Sequence, residues 1–173
     1  MSRVRGLGVA LAVAMSSAAR GDDWLHGTFE FGGSAAQLAE IDAQVEGAIE
    51  DMGFYLRPIA RHRLQKLTKP AERFQFVPYE GGVKVVNELV TRPCSFDGSR
   101  TTFINRLGKQ TQAVCVRSER GIREDFIGAD AGTWSHTFTL SADGQTLEQR
   151  VKVTAPMLGR PLVYTLTYQR SDA

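Results

Sequence analysis

Five polar residues break otherwise apolar rows in this chain. Asn87 stands among Val83, Val85 and Leu89, and Asn105 beside Phe103 and Leu107. Glu124 lies between Ile122 and Phe126, His136 between Trp134 and Phe138, and Gln149 between Leu147 and Val151. The spacing of two puts each polar group on the same face of a strand as its apolar neighbours. Burying such groups costs free energy unless they find partners. A belt of them at mid-strand is the pattern of a mostly apolar pocket with a few orienting groups. Glu124 and His136 carry the most chemistry. Together they could hold a ligand's polar end or serve as general acid and base.

Turn positions extend this reading. A turn centred near Asp130 sets Glu124 opposite His136. The turn at Asp143-Gly144 sets His136 opposite Val151, and the next turn sets Val151 opposite Tyr164. The expected ligand-binding set is Glu124, Trp134, His136, Phe138, Gln149, Tyr164, Tyr168, Asn87 and Asn105. The blander alternative is a Glu–His pair that satisfies itself in a core, and a register slip of one residue would turn both groups to the other face. No serine sits in a nucleophile elbow, and no glycine-rich phosphate loop follows a strand. His26, His62 and His136 lack metal-ligand spacing, so neither a metal nor a cofactor is expected.

These residues need strands to position them. Trp134, His136, Phe138 and Leu140 alternate on one face, as do Leu147, Val151 and Val153, then Leu162, Tyr164, Leu166 and Tyr168. Asp143-Gly144 between two alternating runs is a strong hairpin signal. Turn signals recur through the chain after residue 70 with no helical window between them, which predicts an antiparallel up-and-down meander, with 83–90 as one strand of it and about nine strands in the whole chain. Ahead of it, 25–31 reads as a strand and 34–69 as a helical hairpin. Its first helix has a capping-box start at Ser34, an apolar stripe of Leu38, Ile41, Val45, Ala48, Ile49 and Met52, and a stop at Gly53. The second runs between Pro58 and Pro70, with Leu56, Ile59, Ala60, Leu64 and Leu67 as its stripe. The first helix is acidic. The second carries Arg57, Arg61, Arg63, Lys66 and Lys69, so peripheral contact of the basic helix 57–69 with an anionic membrane or ligand is an expectation; two solvated faces of opposite sign are the plainer account.

Arg3 and Arg5, an apolar run over 6–15 and small residues at Ser17 and Ala19 have the form of a signal peptide over 1–19. The apolar run is shorter than the roughly 20 residues that a span needs. The expected mature chain, 20–173, is one domain with no transmembrane segment, periplasmic or secreted. The 21 basic and 19 acidic residues become equal once Arg3 and Arg5 are removed. A neutral chain does not suggest a nucleic-acid partner. Export permits a Cys94–Cys115 disulfide. Strand geometry opposes it: with a turn at Gly108, Cys115 falls opposite about Thr102, with Cys94 beyond the next strand. Two strands span roughly 9–10 Å, too far for an S–S bond unless the loop over 93–99 folds over.

A strand, a helical hairpin and a long meander resemble the calycin barrels, above all the fatty-acid-binding proteins. Their opening hydrophobic-x-Gly-x-Trp pattern is matched by Leu25-His26-Gly27-Thr28-Phe29, with Phe for Trp; the lipocalin Gly-x-Trp is matched as Gly27-Thr28-Phe29. The resemblance implies a mainly β, calycin-like barrel with the hairpin inserted after the first strand. It departs from the pattern in its leader, in the lack of a helix after the barrel and in the closing Tyr168-Gln169-Arg170. That order reverses the Arg-x-Tyr with which the fatty-acid binders grip a carboxylate. The reading that follows is an exported binding protein for a small hydrophobic ligand such as a fatty acid or other lipid. The alternatives are an enzyme using Glu124 and His136, and a filled barrel that works through its surface.

Overall fold

The computed structural model describes residues 26–127 and 132–171. The expected leader and the turn around Asp130 lie outside the described residues. The elements in chain order are β1 (Gly27–Phe31), α1 (Ala35–Ile49), α2 (Arg57–Thr68), β2 (Arg73–Tyr79), β3 (Gly82–Val86), β4 (Thr91–Ser95), β5 (Arg100–Ile104), β6 (Gln110–Ser118), β7 (Gly121–Ile127), β8 (Thr133–Leu140), β9 (Thr146–Thr154) and β10 (Leu162–Ser171). All ten strands join one antiparallel sheet in the order β4-β3-β2-β1-β10-β9-β8-β7-β6-β5. The sheet curls until β4 and β5 come side by side. No ladder joins these two among the described residues, so the barrel is nearly closed, with one seam.

The strand count corrects the expected nine. Residues 83–90 are not one strand: β3 ends at Val86 and the chain turns over 87–90 into β4. The Asn87 side-chain oxygen accepts from the backbone N–H groups of Leu89 (3.0 Å) and Val90 (2.8 Å), which builds that turn. Pro93 within β4 argues against a strand by sequence, yet an edge strand tolerates it. Asn105 does the same after β5, accepting from Leu107 N and Lys109 N, while Gly108 takes φ 74°. The expected mid-strand belt therefore holds for Glu124, His136 and Gln149 and not for the two asparagines.

The seam explains the cysteines. β5 ends its ladder with Arg100 opposite Val114, so Thr102 faces Gln112 rather than Cys115. No residue of β5 stands between Cys115 and β4. Cys94 and Cys115 approach to 5.4 Å between Cα atoms and are bonded. The Thr101 hydroxyl donates to the Pro93 carbonyl at 3.0 Å across the same seam. The expected separation of two strands fails because the intervening strand is too short.

The Ser34 hydroxyl caps α1, which buries Ile41, Val45, Ala48 and Ile49 in the same core as Phe29, Phe74 and Tyr168. The helix ends at Ile49, and Met52 turns inward just beyond it. Gly47 lets α1 lie against Arg160 of the β9–β10 connection, where a Cβ would collide with the guanidinium. α2 packs on α1 through Leu64 and through an Arg61–Glu46 pair. Two members of its expected stripe, Leu56 and Ile59, are exposed instead. No described helix is long and apolar enough to cross a membrane.

Candidate functional site

β7 and β8 place the central pair. Their ladder sets Glu124 opposite His136, β8 and β9 set His136 opposite Val151, and β9 and β10 set Val151 opposite Tyr164, as the turns imply. Glu124 is fully buried, and its partner is Arg92 from β4. Arg92 donates from Nε to Oε1 at 3.0 Å and from Nη2 to Oε2 at 2.8 Å, a two-pronged grip across the barrel. The Phe103 and Phe126 rings lie 5.8 and 5.6 Å from the guanidinium carbon. Trp134 stacks on Phe126 at 5.1 Å, and His136 meets the same ring edge-on at 4.8 Å.

The electrostatics follow from this packing. Burial alone would raise the Glu124 pKa, but the Arg92 charge and the hydrogen bonds to the carboxylate outweigh it and hold it at about 2. His136 Nδ1 is 3.8 Å from Oε2, beyond hydrogen-bond reach, and has no partner. Burial lowers the His136 pKa despite that carboxylate, so the imidazole is neutral. Its residual exposure, 20 %, is to the cavity it lines.

That cavity has a volume of about 80 Å³. Arg92, Phe103, Trp134, His136 and Tyr164 form walls, and Gln149 lies further down. Asn87, Asn105, Lys69 and Arg106 mark its mouth between α2 and the β3–β4 and β5–β6 turns. Arg106 donates to the Lys69 carbonyl, folding across the opening. Partial burial lowers its pKa, and the charge of the nearby Glu88 carboxylate offsets part of that. Burial pushes the Tyr164 hydroxyl pKa up.

Six of the nine expected ligand-binding residues line this cavity: Asn87, Asn105, Trp134, His136, Gln149 and Tyr164. Glu124, Phe138 and Tyr168 do not, and Glu124 lies behind its partner Arg92. Phe138 packs on Phe74 and Phe76, and Tyr168 donates to Gln149 Oε1 at 3.2 Å beneath the cavity. Arg170 serves the barrel's frame: it covers Phe29 at 4.6 Å and donates to the carbonyls of Gly144 and His26. No cluster of three or more His, Cys, Asp or Glu side chains is placed to hold a metal among the described residues.

The REP1-NXSQ fatty acid transporter superposes with a TM-score of 0.55 at 14 % identity, over 86 % of this chain and 97 % of that one. A Schistosoma mansoni fatty acid binding protein solved with arachidonic acid gives 0.51 at 13 %, over 88 % and 99 %. A zebrafish ileal bile acid-binding protein solved with cholic acid gives 0.53 at 10 %, over 86 % and 99 %. The fold is that of a calycin-like barrel. No known sequence family matches the chain, and no curated protein matches it in sequence.

Two residues of this site escaped the sequence reading. Arg92 falls between the expected strand and the expected loop over 93–99, although Val90, Arg92 and Cys94 alternate with Thr91, Pro93 and Ser95 as a strand would. Arg106 lies in a turn, where nothing in the sequence aims a side chain across a cavity.

Proposed function

We propose that this protein is an exported binding protein for a small hydrophobic ligand, such as a fatty acid or other lipid, held in the barrel cavity. The carrying observation is that cavity: aromatic and aliphatic walls with a few inward polar groups. Fold neighbours solved with arachidonic and cholic acids support a hydrophobic ligand. The leader-like start and the Cys94–Cys115 bond support export. About 80 Å³ is less than the roughly 150 Å³ that admits benzene. A lipid therefore enters by displacing mouth side chains, and Arg106, held by a backbone carbonyl, is the first to swing away.

Native mass spectrometry of the protein purified from an export host, followed by organic extraction, tests this reading. A lipid-sized adduct is expected. An empty protein that also ignores a panel of fluorescent fatty acids would sink it.

A second reading has one observation in its favour, the unpartnered His136 nitrogen beside the cavity. Arg92 makes Glu124 a weak base, so acid–base chemistry would rest on His136. His136→Ala separates the two: a binder keeps most of its affinity, whereas an enzyme loses turnover.

A further inference from the structure

Among the described residues three cations border the cavity, and they are not equivalent: Arg92, Arg106 and Lys69. Arg92 is buried at depth, and Glu124 takes both prongs of its guanidinium. A second carboxylate brought to it would crowd Glu124 in a place closed to solvent, where like charges repel most strongly. The other polar groups that face inward are neutral. His136 is uncharged, and burial keeps the Tyr164 hydroxyl protonated. The interior therefore suits an apolar chain and leaves an anion no unpaired cation.

The mouth differs. The Asn105 side chain pins the β5–β6 turn by accepting from Leu107 N and Lys109 N, which fixes the backbone from which Arg106 reaches over the opening. The guanidinium is partly buried, and its one hydrogen bond among the described residues goes to the Lys69 carbonyl, a neutral acceptor. Most of its N–H groups are left over, in the fork that matches an oxyanion. The Lys69 side chain is exposed on the same rim. Glu30, Glu72 and Glu88 instead border a separate groove that shares residues 69–71 with the cavity. Glu88 accepts from the Glu72 N–H at 3.1 Å, and its charge offsets only part of what burial does to Arg106.

We propose that the cavity binds an amphiphilic anion tail first, with its carboxylate or other oxyanion held at the mouth by Arg106 and with Lys69 beside it. This rests on the ligand-binding reading and adds the charge class of the ligand and the direction in which it lies. Arg106 leaves the Lys69 carbonyl as the tail passes and returns onto the head, exchanging a neutral acceptor for a charged one. Phe103, Phe126, Trp134, Val151 and Leu166 line the space below and take the tail. A head at the rim is open to solvent, so enlarging it costs little. A head buried beside Glu124 would tolerate no addition.

The test is titration calorimetry of the delipidated protein with decanoate, decanol and N-decanoyltaurine, the last keeping the chain and the charge on a longer head. Decanoate should bind about tenfold or more tighter than decanol, and the taurine conjugate within about threefold of decanoate. Arg106→Met should bring decanoate down to the level of decanol and leave decanol unchanged, while Arg106→Lys keeps most of the preference. Circular dichroism would verify the fold of each variant. Three results would overturn the orientation while leaving ligand binding in place. They are equal affinity for acid and alcohol, a loss on Arg106→Met shared by both, and exclusion of the taurine conjugate by a protein that binds decanoate. The last would put the head inside the barrel. Absence of binding by all three compounds would overturn this proposal together with the ligand-binding reading beneath it.

Discussion

Two aromatic clusters share the barrel interior and differ in what they enclose. Phe29, Phe74, Phe76, Phe138 and Tyr168 touch one another at 5.0–6.3 Å between ring centroids, and the charge that meets them, Arg170, lies at the edge over Phe29. Phe103, Phe126 and Trp134 instead surround the Arg92–Glu124 pair and border the cavity. The inner face of β8 passes from one to the other, with Trp134 and His136 on the ionic side and Phe138 at the junction. Interlocking rings stabilise a core whose Tyr168 hydroxyl is satisfied by Gln149. A buried ion pair is weak as a source of stability, because desolvation consumes most of the attraction. Its position beside the cavity is better explained by a role in shaping what enters.

The sharpest way to break this contrast is to remove one partner of the pair. Arg92→Met or Glu124→Leu alone leaves an uncompensated buried charge and should cost about 3–5 kcal/mol in urea denaturation. The double variant should come back to within about 1 kcal/mol of the parent. Phe74→Leu and Phe138→Leu share a contact but no charge, and their costs should come much nearer to adding. Acid supplies an independent signature. Glu124 is held near 2 in the folded chain against 4.5 ordinarily, so the unfolded chain takes up the proton first and stability falls as pH drops from about 4.5 through about 2. That loss is on the order of 3 kcal/mol. The lowered His136 pKa adds a loss of the same sign that begins below its ordinary 6.5. The double variant should keep only the histidine part; an unchanged acid profile would deny Glu124 its role.

This contrast was half legible in the sequence. Period-two alternation and turn spacing sufficed to set Glu124 opposite His136 and to place Tyr164 one strand beyond Val151, because each strand in that stretch is long and one face is oily. The ionic partner was hidden. β4 is a five-residue strand with a proline inside, and its pairing with β3 depends on an Asn87 turn within a run of hydrophobic residues. Alternation also cannot tell a turn-building asparagine at a cavity mouth from an inward group at mid-strand, so Asn87 and Asn105 looked like Gln149. Helical spacing failed at Leu56 and Ile59 for another reason: the periodicity is present, but α1 is too short to cover that end of α2.

The disulfide tests whether the seam belongs to the ionic side. Cys94→Ala with Cys115→Ala should cost about 3 kcal/mol, from the loop that a separation of 21 residues closes. Hydrogen exchange should rise chiefly in β4 and β5, which no ladder joins, and little in β1, β2 and β10 around the phenylalanines. Uniform acceleration across the barrel would mean that the two sides unfold together and that the seam has no separate stability.

The smallest effect comes from a pair with almost the same geometry. Arg61 grips Glu46 with two contacts, at 2.5 and 2.6 Å, as Arg92 grips Glu124. Here the side chains are 40 % and 51 % exposed, so water screens the attraction and solvates whichever partner is left alone. Arg61→Gln should leave the unfolding midpoint within experimental scatter, and any difference should vanish in high salt. A large loss would show that the pair anchors α2 to α1, and with it the helical side of the cavity mouth. The two arginines make nearly the same bonds, so the difference between their variants measures burial itself. It is burial that makes Arg92 costly to strand and Arg61 cheap to replace.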